Sequence, residues 1–186
     1  MREPVDAGRV RQFLNAFGRE LRSPTVVWLS GGATAVLEGW RASTIDVDLK
    51  IVPDAEAFSV LPRLKEELRV NVELAAPDQF LPPVPGWEGR SRLIAKIGCV
   101  EFRHFDLYSQ ALAKLERGFR RDLDDVLAMV RRGLVDAERL RRASREIVPE
   151  LPRYPAVDPG AFLGAVDGFL AGLGGAPPAD AASTDG

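Results

Sequence analysis

The run from Ser30 to Lys50 limits this chain more than any other part of it. It opens on Gly31-Gly32, directly after the apolar, β-branched stretch Thr25–Ser30, and closes on Asp46-Val47-Asp48. Thr25–Ser30 has the composition of a buried strand. The glycine pair turns the chain into a short helix ending near Gly39. Ile45, Val47, Leu49 and Ile51 then alternate with Asp46, Asp48 and Lys50, the pattern of a half-buried strand. Residues two apart on a strand share a face, so Asp46 and Asp48 point the same way. Two carboxylates held that close repel each other unless a cation lies between them, and a hard divalent ion such as Mg²⁺ or Mn²⁺ is the usual reason to pair them. The backbone N–H groups of Gly31 and Gly32, at a helix N-terminus, suit phosphate oxygens. Metal-dependent chemistry on a nucleotide is the expectation.

The bulk properties bound this reading without deciding it. A chain of 186 residues with 46% hydrophobic and 28% charged residues is long enough for one compact domain with a core. A formal net charge of −2 does not mark a dedicated nucleic-acid binder, although a sum conceals local patches. Cys99 is the single cysteine, so no internal disulfide can form. The start Met-Arg-Glu-Pro lacks the apolar core of a signal peptide, and no apolar run approaches the roughly 20 residues of a membrane span. A cytoplasmic protein with no membrane partner is expected.

Elsewhere the spacing predicts an amphipathic helix over 5–22, with Val10, Phe13, Leu14, Phe17 and Leu21 on one face. Asp54 is the expected N-cap of a helix carrying Phe58, Leu61, Leu64 and Leu68, kinked or divided at Pro62. Val70–Leu74 reads as a short strand. Residues 77–90, rich in proline and glycine around Phe80 and Trp87, read as a long loop of the kind that is often functional. Arg92–Ile97 and Cys99–Phe105 read as a hairpin turning at Gly98. From Asp106 onward the pattern is helical, with breaks at Gly118 and Gly133 and an extended turn at Tyr154–Pro159, then a last helix over about 158–172. The expected organisation is a core over 1–105, a helical part over 106–173 packed on it, and a disordered tail over 174–186.

A strand, Gly-Gly, a helix, Arg41-Ala-Ser43-Thr and then a strand with Asp-x-Asp resembles the polymerase-beta-like nucleotidyltransferase superfamily. A second block, Lys114-Leu-Glu-Arg-Gly-Phe-Arg-Arg-Asp122-Leu-Asp-Asp125, resembles the C-terminal motif of the small prokaryotic AbiEii-like and MenT-like members, several of which are toxins or antitoxins. The resemblance spans about residues 25–150. It implies an α/β (α+β) nucleotidyltransferase fold: a small, mixed, twisted sheet flanked by helices, with a helical C-terminal part. It also implies transfer of a nucleoside monophosphate from an NTP to an RNA (tRNA) or protein hydroxyl, with a cognate toxin or antitoxin as a further partner. A non-catalytic nucleotide- or partner-binding module is the alternative. Carried over by residue, Ser30, Gly31 and Gly32 bind the triphosphate, and Asp46 and Asp48 hold Mg²⁺. Lys114 contacts phosphates, Arg121, Asp122 and Asp125 shape the site around it, and Arg41 or Ser43 steadies the loop. Many members carry serine where this chain has Gly32.

Two-metal transfer calls for a third acid that activates the incoming hydroxyl, on a strand beside Asp-x-Asp. Glu101, within the strand 99–105, and Asp106, at its end, are the candidates. A solvated strand residue and a helix N-cap are the bland readings of the two. His104 reads as a packed or surface residue and Cys99 as a small core residue. Arg139, Arg141, Arg142 and Arg145 make a basic stretch that helix-surface pairs largely explain, with an RNA grip as the alternative. Trp87 and Phe80 either cap the core or stack on a base.

Overall fold

The computed structural model describes residues 3–173; the tail expected over 174–186 lies outside them. Among the described residues a five-stranded sheet runs in the order β3-β2-β1-β5-β4. Its strands are β1 (Thr25–Ser30), β2 (Asp46–Val52), β3 (Asn71–Glu73), β4 (Leu93–Ile97) and β5 (Val100–His104). The antiparallel pairs are β1–β2 and β4–β5, and the parallel pairs are β1–β5 and β2–β3. The mixed sheet flanked by helices is the one the sequence led us to expect.

Helix α1 (Ala7–Glu20) starts at Asp6, whose side chain accepts from the Arg9 N–H, and it buries Val10, Phe13, Leu14 and Phe17. These residues pack with Val27, Leu29, Val47, Leu49, Ile51 and Phe102 from the sheet and with Leu61 and Leu64 from α3 (Ala55–Leu68). The alternation of β2 therefore has its apolar face on this core and its charged face outward. Asp54 is the N-cap of α3, as expected, although its side chain makes no cap bond, and the helix continues through Pro62 undivided. Proline removes the bond to the carbonyl four residues earlier, that of Phe58. Both Pro62 and Phe58 lie on the solvent side, where water can supply the lost donor.

The 77–90 loop contains a 3-10 turn (Pro77–Gln79) and the single-turn helix α4 (Trp87–Arg90). The Trp87 ring stacks on Phe105, with centroids 4.3 Å apart, and lies against Trp28 at 5.3 Å. Trp87 thus caps a small apolar cluster and is not placed to meet a base. Helices α5 (Leu107–Arg117), α6 (Arg120–Arg131), α7 (Ala137–Glu146) and α8 (Pro159–Leu173) enclose a second apolar cluster around Leu112, Leu115, Val126, Met129, Leu140, Phe162 and Val166. The breaks read at Gly118 and Gly133 are left-handed turns, with φ of 68° and 67°, a conformation glycine adopts at little cost. Short helix α2 (Gly31–Leu37) leads from the end of β1 toward β2, so the glycine pair lies at the junction between sheet and helices.

Candidate active site

Strand register places the acids. Asp48 stands opposite Ser30 on β1 and opposite Glu73 on β3, and Asp46 stands opposite Asn71. Directly opposed residues share a face, so Ser30, Asp46, Asp48, Asn71 and Glu73 converge at one end of the sheet. The Asn71 Nδ2 amide donates to Asp46 Oδ1 at 2.6 Å and to Glu73 Oε1 at 3.0 Å, tying the two outer carboxylates together around Asp48. Burial, then the charges of Asp46 and Glu73, push the Asp48 carboxyl up to about 6, against the opposing pull of Arg117 and Lys114.

A cleft opens over these acids. Ser30, Gly31 and Asp48 form its floor, Glu73, Ala75, Ala76, Pro77 and Phe80 one side, and Gln110, Ala113, Lys114 and Arg117 the other. The last four lie at i, i+3, i+4 and i+7 of α5, a single helical face. Gly31 closes the floor. Its φ of +56° is left-handed, and a Cβ there would come within 2.3 Å of Asp48 Oδ2. A side chain at position 31 would push the carboxylate out of the site.

Among the described residues no three His, Cys, Asp or Glu side chains already form a closed metal cage. Mg²⁺ does not need one, because it is commonly held by one or two carboxylates together with substrate phosphates. The three-acid end of the sheet fits that donor set. Its central carboxylate is raised by its own neighbours, a charge imbalance that a cation relieves.

Lys114 is 3% exposed, and its ammonium donates to Asp122 Oδ1 at 3.0 Å and to Asp125 Oδ2 at 2.6 Å. Asp125 also accepts from Trp40 Nε1 at 3.1 Å and from Arg41 Nε at 2.7 Å and Nη2 at 2.5 Å. Arg117 holds Asp122 through two bonds of 3.1 and 2.9 Å. Three cationic groups thus face two carboxylates, and the surplus positive charge lies beside the cleft. These two charged groups of α5, Lys114 and Arg117, are the ones that line it.

Comparison with protein families supplies the class. A family model described as "Nucleotidyltransferase of unknown function (DUF6036)" matches residues 8–150. The chain belongs to that family. No match is found among curated proteins or solved structures. The nucleotidyltransferase family accounts for both sequence blocks, since the match covers the glycine-aspartate run and the Lys114–Asp125 segment together.

The sequence-derived residues of this nucleotidyltransferase divide into three groups. Ser30, Gly31, Asp48 and Lys114 line the cleft, and Asp46 shares the face of Asp48. Asp122 and Asp125 stand behind Lys114 as its anchors. Arg41, Ser43 and Arg121 do not line the cleft. They line a separate shallow recess with Asp124 and Asp125, and Arg41 reaches the Arg121 carbonyl at 3.4 Å. Arg41 therefore acts through Asp125. Gly32 is also structural: a Cβ there would come within 1.9 Å of Thr44 Oγ1, so this glycine allows α2 to lie close to the start of β2. The expectation that the Gly31 N–H is directed at phosphate meets a competitor, because that group donates to Gln110 Oε1 at 2.9 Å.

Neither candidate for the third acid is in place. Glu101 pairs with Val26 on β1, four residues from Ser30, about 13 Å away at ~3.3 Å per residue. Its carboxylate is held by Arg103 at 3.0 Å and Lys96 at 3.4 Å, which keep it below the usual carboxylate range. Asp106 is 1% exposed and caps α5. It accepts from the Ser109 N–H and hydroxyl and forms a two-bond pair with Arg90 at 2.9 and 3.0 Å. The acid beside Asp48 is Glu73, which the sequence reading passed over. The signal was present in Val72-Glu73-Leu74, a lone acid between apolar residues on the strand that follows Asp-x-Asp.

His104 is buried, with Nδ1 3.1 Å from Thr34 Oγ1 and Nε2 3.0 Å from Glu38 Oε1. Burial outweighs Glu38 and lowers the imidazole to about 4, so it is neutral near pH 7 and packs as expected. On α7, Arg141 and Arg145 pair with Asp167, Arg141 also pairs with Glu138, and Arg139 lies over the Tyr108 ring at 4.8 Å. Much of the basic stretch is thus accounted for within the fold.

Proposed function

We propose that this chain transfers a nucleoside monophosphate from an NTP to a hydroxyl acceptor on an RNA, such as tRNA, or on a protein. The supporting observation is the placement of Asp46, Asp48 and Glu73 on one face of two paired strands, under a cleft lined by Lys114 and Arg117. Asp46 and Asp48 would hold Mg²⁺ or Mn²⁺. Such an ion supplies positive charge to the triphosphate oxygens and offsets the charge that develops on transfer. Lys114 and Arg117 neutralise the phosphates. Glu73 takes the proton as the acceptor oxygen bonds to the α-phosphorus; the bond from that phosphorus to the bridging oxygen breaks, and pyrophosphate leaves. Positioning and electrostatics carry most of the acceleration. The resemblance to AbiEii-like and MenT-like proteins makes a role in a toxin–antitoxin pair in the cytoplasm part of this reading.

The bond from Gly31 N–H to Gln110 favours a second reading, a nucleotide- or partner-binding module without turnover, in which the phosphate donor remains occupied by the protein itself. The two readings separate in one assay. Purified protein is incubated with Mg²⁺ or Mn²⁺, each α-labelled NTP in turn, and total tRNA or cell lysate. Label transfer that is lost in Asp48→Ala and Glu73→Gln is expected. Metal-dependent NTP binding without transfer selects the nucleotide-binding module, and neither binding nor transfer rejects the transferase and leaves only a partner-binding module.

A further inference from the structure

Phe80 is a large apolar side chain left 48% exposed while lining the cleft that holds Asp48, Glu73, Lys114 and Arg117. A singly exposed apolar residue is ordinary on a protein surface. Phe80 differs in that the turn carrying it is held in place. It caps the 3-10 turn Pro77–Gln79, with its N–H on the Pro77 carbonyl at 3.0 Å. Asp78 in that turn is fixed from two sides. Its carboxylate pairs with Lys50 of β2, and its carbonyl accepts from the Tyr154 hydroxyl at 2.9 Å. Helix α5 packs against the same turn, and next along the chain Leu81 is buried with Ala111 and Leu112 in the helical cluster. The sheet, the helical part and the 154 segment therefore all hold the turn that carries this ring. A half-exposed aromatic ring, carried on a fixed turn at the edge of a cleft lined by charged groups, is suited to the flat face of a base.

We propose that Phe80 is the nucleobase platform of the site: the base of the NTP stacks on the Phe80 ring while its phosphates lie over Asp48 and Lys114. This inference rests on the nucleotidyltransferase reading above. Every base has a π face, so the ring itself contributes affinity for purines and pyrimidines alike and does not select among them.

The test compares wild type, Phe80→Leu and Phe80→Tyr by calorimetric titration in Mg²⁺ with ATP, GTP, CTP and UTP, and with inorganic tripolyphosphate, which has the phosphates and no base. Leucine keeps the apolar cover and loses the flat ring. Phe80→Leu is expected to weaken binding of the NTPs about five- to one-hundred-fold, the range that one stacked base is worth. It should leave tripolyphosphate unchanged, with Phe80→Tyr close to wild type. Equal NTP affinity in wild type and Phe80→Leu overturns the proposal. So does a parallel loss of NTP and tripolyphosphate, which would make Phe80 a general wall of the cleft. Wild type that binds neither NTP nor tripolyphosphate overturns the underlying nucleotidyltransferase reading, a failure distinguishable from that of the platform alone.

Discussion

Glu73 on β3 stands directly opposite Asp48 on β2, in parallel register, with the Asn71 amide bridging Glu73 to Asp46. Asp48 is thereby the middle of three acids, and its carboxyl rises to about 6. Strand pairing, not sequence proximity, assembles the chemistry, since 25 residues separate Asp48 from Glu73.

If Glu73 accepts the proton of the acceptor hydroxyl, Glu73→Gln removes the base but keeps the volume and the hydrogen bond to Asn71. Transfer should fall by about 10²–10⁴-fold, the range for loss of a general base, while Mg²⁺-NTP binding survives. Glu101→Gln should leave transfer unchanged, since Glu101 lies at the far end of the sheet, paired to Arg103. Single-turnover labelling alongside equilibrium nucleotide binding measures both.

This contrast marks how much of the site could be read from sequence. The alternation of 45–52 fixes which face Asp46 and Asp48 occupy, because side-chain period is a local property. Gly98, Gly118 and Gly133 fall at left-handed turns for the same reason. Sheet order is not local. Glu101 and Glu73 both sit on strands near the Asp-x-Asp run, and only the order β3-β2-β1-β5 and the registers separate them. Likewise, Lys114 and Asp125 were legible as a motif. Asp125 as the anchor joining Lys114 to Arg41 and Trp40 depends on packing between segments about 85 residues apart.

Asp48 carries a cost that a neutral isostere removes. Its folded value near 6 lies above the ordinary aspartate value of 3.8, so folding favours the protonated form. The corresponding stability is present below about pH 4 and is lost as pH rises through 6. In metal-free protein at pH 7.5, Asp48→Asn should therefore be more stable than wild type by on the order of 2 kcal/mol, and the difference should vanish below about pH 4. Adding Mg²⁺ should stabilise wild type and not the variant. Urea unfolding with and without Mg²⁺ reads out all three effects.

His104 gives the opposite slope. Burial lowers its imidazole to about 4 from 6.5, so the neutral form favours folding. That stability is complete above pH 6.5 and is lost as pH falls toward 4. His104→Gln, which keeps a polar group near Thr34 and Glu38, should lose less stability than wild type between pH 6.5 and 4.5. Parallel urea titrations across that window would show converging curves; parallel curves would mean that the imidazole titrates normally.

Asp125 is the most heavily used carboxylate beside the cleft. It accepts from Trp40, Arg41 and Lys114 while 2% exposed. Asp125→Ala leaves the buried Lys114 and the partly buried Arg41 short of a partner and should cost about 3–5 kcal/mol, as broken buried pairs do. Asp122→Ala should cost less, since Arg117, one of its two partners, is 43% exposed and can turn to water. Thermal unfolding of the two variants tests this order.

Glycine at position 32 is a packing requirement of this fold. A Cβ at position 32 meets Thr44 Oγ1 at 1.9 Å and Thr44 Cβ at 2.7 Å. Thr44 cannot simply swing away, since it is 6% exposed, its backbone pairs with Val5 and its hydroxyl donates to the Asp46 carbonyl at 3.1 Å. Gly32→Ser must therefore move either α2 or the entry to β2, and overpacking of this kind costs about 1–3 kcal/mol. Because Thr44 lies two residues before Asp46, the same movement should displace Asp46 and Asp48 and, if these acids hold Mg²⁺ as proposed, weaken Mg²⁺-dependent NTP binding. Thr44→Gly added to Gly32→Ser removes both clashing atoms and should restore nucleotide affinity relative to Gly32→Ser alone. Restored affinity would locate the defect in the contact between positions 32 and 44. A double variant as weak as Gly32→Ser would instead place it outside the contact between positions 32 and 44.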